Sequence, residues 1–230
     1  MKIDLVKYLS DKFRKEKEEF KEPGPVITIS RDYGCPGKMV AEKLVEEINK
    51  KMIVKNKNIR WRYVTKEILA EAAKELEMEP DKLSYVFDGE PRSFLDDIIA
   101  SHTYKYYKSD LKIRNTIKKI IRNIAIEGNV VIVGRGGVAI TRDIPKSLHV
   151  KLEAPLEWRV IRVAEKHNLS FEEARERILE IDKKRTELRE WFEGKGTDYT
   201  TFDLIFNCMT LSVEEIALII LRSAEIRNLL

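Results

Sequence analysis

Cysteine is scarce in this 230-residue chain: Cys35 and Cys208 are far apart, with no CxxC spacing and no histidine close by. That excludes a disulfide framework and a thiolate zinc site, and it points to a reducing compartment, the cytoplasm. No apolar run approaches the ~20 residues that span a bilayer. The opening residues, MKIDLVKYLSDKFRKEKEEF, carry charge throughout instead of an apolar signal core, so neither membrane insertion nor secretion is expected. The three histidines, His102, His149 and His167, are scattered and form no nucleophile–base pattern. A charge excess is lacking too. Lys and Arg number 43 against 39 Asp and Glu, a net +4, which suits an anionic ligand but not the basic stripe of a nucleic-acid binder.

What is present is 43% hydrophobic and 36% charged residues with 10 Gly and 7 Pro, the profile of a helix-rich globular chain long enough for one sizeable core. Ile3, Leu5, Val6, Leu9, Phe13 and Phe20 recur at helical spacing, predicting an amphipathic helix over residues 1–22 that ends at Glu22-Pro23-Gly24-Pro25. The remainder, 25–230, is read as one domain. Short apolar or β-branched runs predict strands at Val26–Ser30, Arg60–Val64, Asn129–Val133, Leu148–Leu152 and Asp203–Asn207. Helices are expected from Gly37 through Ile48, then at Lys66–Leu76, Pro80–Phe87, Phe94–Lys105, Leu111–Ile126, Pro155–Phe192 and Val213–Arg227. Five strands alternating with helices define a three-layer α/β domain with a parallel sheet.

Between the first strand and the first of these helices stands Ser30-Arg31-Asp32-Tyr33-Gly34-Cys35-Pro36-Gly37-Lys38. A strand, a glycine-bearing turn and a helix N-terminus is the arrangement in which backbone N–H groups hold a phosphate. Against the pattern GxxxxGK[ST], Asp32 replaces the first glycine and Met39 the metal-ligating hydroxyl. An ordinary turn into a helix also favours Gly37 and Lys38. Cys35 is read as a small bystander, since no basic partner beyond Lys38 is apparent.

The phrases ITISRDYGCPGKMVAEKL, YVTKEILAEAA, VVIVGRGGVAI, APLEWRVIRV, the cluster Asp182-Lys183-Lys184-Arg185 and FDLIFNCMTLSVEEI follow one another over roughly residues 25–228. In that order the chain resembles the cytidylate-kinase-like family of nucleoside-monophosphate kinases. The resemblance implies a P-loop kinase-like domain with a five-stranded parallel sheet and a helical lid, transferring the γ-phosphate of ATP to a nucleoside monophosphate, CMP or dCMP by default. ATP and Mg²⁺ are the cofactors it implies.

It also implies site residues. Arg31, Gly34, Gly37 and Lys38 would bind the nucleotide phosphates, and Arg135 the acceptor's phosphate. Lys38, Arg159, Arg162 and Arg185 would serve transfer, with Asp182 and Lys184 supporting the lid. Arginine suits these tasks because its planar fork binds phosphate oxygens and keeps its charge. Bland readings stand beside them. Arg135 could be a surface residue of a glycine turn, and Arg175 and Arg177 belong to a solvated helix face rich in glutamate. Trp61, Trp158 and Trp191 could stack on a base, though packing is their commoner fate. The chain departs from the family where acidic residues are replaced by Val133 and Gly136, around Val64-Thr65-Lys66, and at Met39 and Val40. Hence no protein ligand for Mg²⁺ is assigned, and Asp32 is the one substitute considered. Two further readings stay open: a degenerate P-loop protein that binds nucleotide without turnover, and a module dimerising through its N-terminal helix.

Overall fold

The computed structural model describes residues 23–65, 67–77, 110–194, 196 and 199–230. The helices expected over 1–22, 80–87 and 94–105 lie outside them. Chain order runs β1 (Val26–Arg31), α1 (Gly37–Val54), β2 (Arg62–Val64), α2 (Glu67–Leu76), α3 (Asp110–Glu127), β3 (Val130–Val133), α4 (Gly137–Thr141), β4 (Ser147–Glu153), α5 (Leu156–His167), α6 (Phe171–Glu193), β5 (Leu204–Asn207) and α7 (Val213–Ile226). The five strands form one sheet in the order β2-β3-β1-β4-β5, every pair parallel.

Side chains alternate across the strands, so each face carries its own core. On one, Val26, Val130, Ile132 and Val64 meet α2, α3 and α4 through Ile68, Ile117, Ile121 and Ile140. On the other, Ile27, Ile29, Val131, Val150 and Leu152 meet α1 and α7 through Val40, Leu44, Ile48, Ile216 and Ile220. Trp61 belongs to this second core, 2% exposed, its backbone N–H donating to Asn49 Oδ1 at 2.8 Å. Strand β4 differs from its neighbours: Leu148, Val150 and Leu152 are apolar, while Ser147, His149, Lys151 and Glu153 occupy the other face.

The single helix expected over 155–192 is two helices. Asn168 closes α5 in the left-handed conformation, φ 53°. Ser170 then opens α6 with a capping box: its Oγ accepts from the Glu173 N–H at 3.3 Å, and Glu173 Oε2 accepts from the Ser170 N–H at 2.8 Å. Helices α5 and α6 bury Val160, Val163, Ala174 and Ile178 between them, with Tyr33 packed against this small cluster. The loop after β1 thus rests on the α5–α6 pair.

Candidate active site

The chain leaves β1 for β2 and β3 on one side and returns to β4 and β5 on the other, so the crevice at the strands' carboxyl ends lies where open α/β sheets take ligands. A cleft there is lined by Ser30, Arg31 and Asp32 at the end of β1, Gly134, Arg135 and Gly136 after β3, Lys151 on β4, and Asp182, Arg185, Thr186 and Arg189 on α6. Five cationic side chains face two carboxylates, a formal excess of three positive charges in one concave space. The cleft is partly open, and its volume, about 100 Å³, holds a few water-sized groups.

The backbone after β3 is built for this place. Gly134, Arg135 and Gly136 all have left-handed φ, 71°, 59° and 70°. For arginine that conformation costs on the order of 1 kcal/mol and persists where the surroundings impose it. Arg135 is 9% exposed. Gly134 also leaves room for Arg31: a Cβ there would stand 1.6 Å from Arg31 Nη1 and push that side chain aside. At its other end the Arg31 side chain passes Gly37, where a Cβ would meet Arg31 Cδ at 3.2 Å. Arg31 therefore lies between the N-terminus of α1 and the turn after β3.

Polar ties hold the loop. The Tyr33 N–H donates to Asp182 Oδ1 at 2.7 Å. Arg159, 8% exposed, donates through Nη1 to Asp182 Oδ2 at 2.6 Å and to the Tyr33 carbonyl at 3.1 Å, and through Nε to the Ala154 carbonyl at 3.0 Å. Arg185 donates to the Arg31 carbonyl at 3.0 Å and lies 5.4 Å from the centre of the Tyr33 ring. Asp182 and Arg159 thus clamp the loop to α6, and Arg185 is carried into the cleft by the same helix.

The residues expected from sequence are divided. Arg31, Arg135, Asp182 and Arg185 converge on the cleft. Arg159 stands behind it as a buttress. Gly34, φ 97°, lets the loop pass Arg159 Cβ, and Gly37 opens α1. Lys38 is 66% exposed and pairs with Glu42 at 3.4 Å, outside the residues that line the cleft. The Tyr63 hydroxyl, and then Lys38, hold Glu42's carboxyl below its usual range. Arg162 lies over the Trp158 ring at 4.6 Å on the exposed side of α5. Lys184 pairs with Glu180 on the helix surface, and Arg175 with Glu157 at 2.6 Å. Trp191 sits edge-on to Phe192, 4.8 Å between ring centres.

Lys151 and Arg189 were not anticipated. Lys151 pairs with Asp32 at 2.5 Å, and a lysine near the carboxyl end of an otherwise apolar-alternating strand was the available signal. Arg189 was concealed in the charge run of α6. As a Mg²⁺ site the donor set is poor. Among the described residues no three His, Cys, Asp or Glu side chains cluster as ligands, and Asp32 is held by Lys151. The described residues do not build a magnesium site of their own.

This architecture is that of the P-loop kinases. Shikimate kinase from Acinetobacter baumannii superposes over 91% of this chain and 97% of its own, TM-score 0.51, 13% identity. An uncharacterised protein from Eubacterium ventriosum superposes over 87% and 98%, TM-score 0.61, 23% identity. Residues 26–210 match the cytidylate kinase-like family, and the chain belongs to that family. Cytidylate kinases from Sulfurisphaera tokodaii and Methanopyrus kandleri are 31% and 35% identical over 104 and 105 residues, 45% and 41% of this chain. The matches cover 57% and 53% of those relatives, so the chain spans little more than half the length of each.

Proposed function

We propose that this chain is an ATP-dependent nucleotide kinase that transfers the γ-phosphate of ATP to a nucleoside monophosphate, with CMP or dCMP the first acceptors to test and the cytoplasm as its compartment. The observation that carries this reading is the meeting of Arg31, Arg135, Lys151, Arg185 and Arg189 at the carboxyl ends of β1, β3 and β4. Phosphoryl transfer asks the protein mainly to align two phosphates and to neutralise charge on the group in flight. In this reading an acceptor phosphate oxygen attacks the γ-phosphorus and the bridging oxygen leaves with ADP. Arg135 holds the acceptor, Arg185 and Arg189 on α6 attend the transferred group, and Lys151 takes the part that sequence gave to Lys38. Mg²⁺, when bound, would be held by the nucleotide's phosphates and its own waters and would supply charge neutralisation beside Arg185 and Arg189.

The test is ADP formation, coupled to a spectrophotometric readout, with ATP and a panel of nucleoside monophosphates. Arg135→Ala and Lys151→Ala should each lower kcat by about 10²–10³-fold, with unchanged circular dichroism. Lys38→Ala should change it by less than about tenfold, given the outward position of that side chain. The placement of Lys38 and the methionine at position 39 favour one rival, nucleotide binding without turnover. It predicts a nucleotide-dependent rise in melting temperature with no ADP. Absence of both signals with every nucleotide overturns both readings.

A further inference from the structure

We infer that a second ligand site lies at the amino-terminal end of the sheet, a polar hollow built around His149 that takes a small organic carboxylate. It is lined by Arg142 after α4, Ser147 and His149 on β4, Thr200 and Asp203 before β5, and Arg227 after α7. No described residue lines both this hollow and the cationic cleft. The hollow is partly open and its volume is about 410 Å³, within the range of small-molecule sites. His149 is 6% exposed, and its Nε2 is buried with no hydrogen-bond partner among the described residues. Folded proteins seldom leave such a group unmet without a functional reason. The other ring nitrogen, Nδ1, lies 2.8 Å from Thr28 Oγ1 on β1. Strand β4 stands between β1 and β5, and the two nitrogens sit on opposite sides of the ring. Nε2 is therefore turned away from β1 and towards the β5 side, where Thr200 and Asp203 stand.

The ligand's chemistry follows from counting donors and charges. Burial lowers the pKa of His149 from the ordinary 6.5, so at neutral pH the ring is uncharged and carries one proton. With that proton on Nδ1, donated to Thr28, the threonine O–H and Nε2 would both lack a partner. With the Thr28 O–H donating to Nδ1, only the Nε2–H is left over. The second arrangement leaves fewer buried groups unmet, so Nε2–H is a donor that calls for an oxygen. Arg142 and Arg227 bring two positive charges and Asp203 one negative, an excess of one. Asp203 is already engaged, its Oδ1 with Arg227 Nη1 at 2.5 Å and its Oδ2 with the His149 backbone N–H at 2.7 Å. Arg142 is exposed and pairs with no carboxylate among the described residues. One negative charge balances the excess, which fits a carboxylate better than a phosphate dianion. One carboxylate oxygen takes the Nε2–H and the other the Arg142 guanidinium, while Pro145 in the same wall offers an apolar surface to the carbon body. Nε2 lies behind the wall, out of solvent contact. The oxygen therefore enters as a wall side chain rotates, a common change on binding, and Thr200 on the exposed turn Tyr199–Thr201 is placed for it.

The experiment uses the full chain labelled with ¹⁵N-histidine at pH 7.5. Long-range proton–nitrogen spectra identify the His149 ring by elimination, through His102→Gln and His167→Gln, and should place its proton on Nε2. Acetate, lactate and inorganic phosphate are then titrated separately, with sodium chloride at matched ionic strength as the control. The expected result is a saturable shift of the His149 Nε2 resonance with both carboxylates and none with chloride. In Arg142→Gln the affinity should fall by about tenfold or more. Arg142 is exposed, so that variant keeps the fold, and unchanged backbone amide spectra check it. A proton on Nδ1, no saturable shift with either carboxylate, equal affinity in Arg142→Gln, or tighter binding of phosphate than of both carboxylates overturns the proposal. The readout involves neither nucleotide nor turnover, so it stands or falls separately from the kinase reading.

Discussion

Gly134 and Gly136 share a left-handed backbone but not a neighbourhood, and the difference separates two effects. At Gly134 a new Cβ meets the far end of the Arg31 side chain, whereas at Gly136 it meets the Phe192 ring at 2.6 Å. An arginine end can swing away; a ring packed against the core cannot. Gly134→Ala should therefore cost about 1 kcal/mol of backbone strain and weaken nucleotide binding by displacing Arg31. Gly136→Ala should cost more stability, about 2–4 kcal/mol once overpacking is added. Urea denaturation beside nucleotide titration checks the order. His149 supplies a pH test. Burial first, with Arg227 adding to it and Asp203 opposing, lowers its pKa from the ordinary 6.5, while Thr28 Oγ1 lies 2.8 Å from Nδ1. The unfolded chain takes up this proton near pH 6.5 and the folded chain only further down. Stability is thus complete above about pH 7 and lost as pH falls. The melting temperature should drop between pH 7.5 and 5.5, and His149→Asn should flatten part of that slope, the exposed His167 remaining in both proteins. At this scale sequence was an uneven guide. Arg135 and Arg185 were legible because each belongs to a phrase. Lys151 was hidden because strand periodicity reports which face a residue occupies, not what the next strand places against it.

Elements were the most legible scale, since β-branched runs and helical spacing respond to burial, which most of these strands and helices share. The break between α5 and α6 escaped because both helices are rich in Lys and Glu, so periodicity runs on across 168–170. The signal was local: Asn168 for the left-handed stop, then Ser170 and Glu173 for a capping box. Ser170→Ala should cost about 1 kcal/mol and lower the melting temperature by roughly 2–4 °C, with little change in catalysis because the cap is remote from the cleft residues. Asp182 joins elements rather than capping one. Asp182→Asn keeps an acceptor for the Tyr33 N–H but removes the charge paired with the buried Arg159. Leaving a buried charge without its partner costs about 3–5 kcal/mol in the strongest cases. A drop in kcat larger than the change in KM, measured in a folded variant, would mark a positioning role for Asp182. An unchanged ratio would assign the clamp to stability alone.

For the molecule as a whole, the order β2-β3-β1-β4-β5 gathers the loop after β1, the turn after β3 and Lys151 within two strand spacings, so residues some 120 positions apart in sequence become neighbours. A nucleotide binding there should register globally. At a concentration 100-fold above Kd it stabilises the folded state by about 2.7 kcal/mol, a rise of roughly 5–10 °C for a chain of this size. Differential scanning fluorimetry with ATP and CMP, together and apart, reads it. The 23-residue length of α6, about 34 Å, gives the clamp at Asp182 a mechanical meaning. For any tilt of α6, Asp182, tied to Tyr33 and Arg159, would be the fulcrum. Arg185 sits about 4.5 Å along the helix from it and Arg189 about 10 Å. A tilt of about 10° around the fulcrum therefore moves position 185 by less than about 1 Å and position 189 by about 2 Å. In such a tilt one cation would stay almost stationary while the other swept, so in the proposed kinase the same rod would keep hold of a phosphate with one hand and let it go with the other.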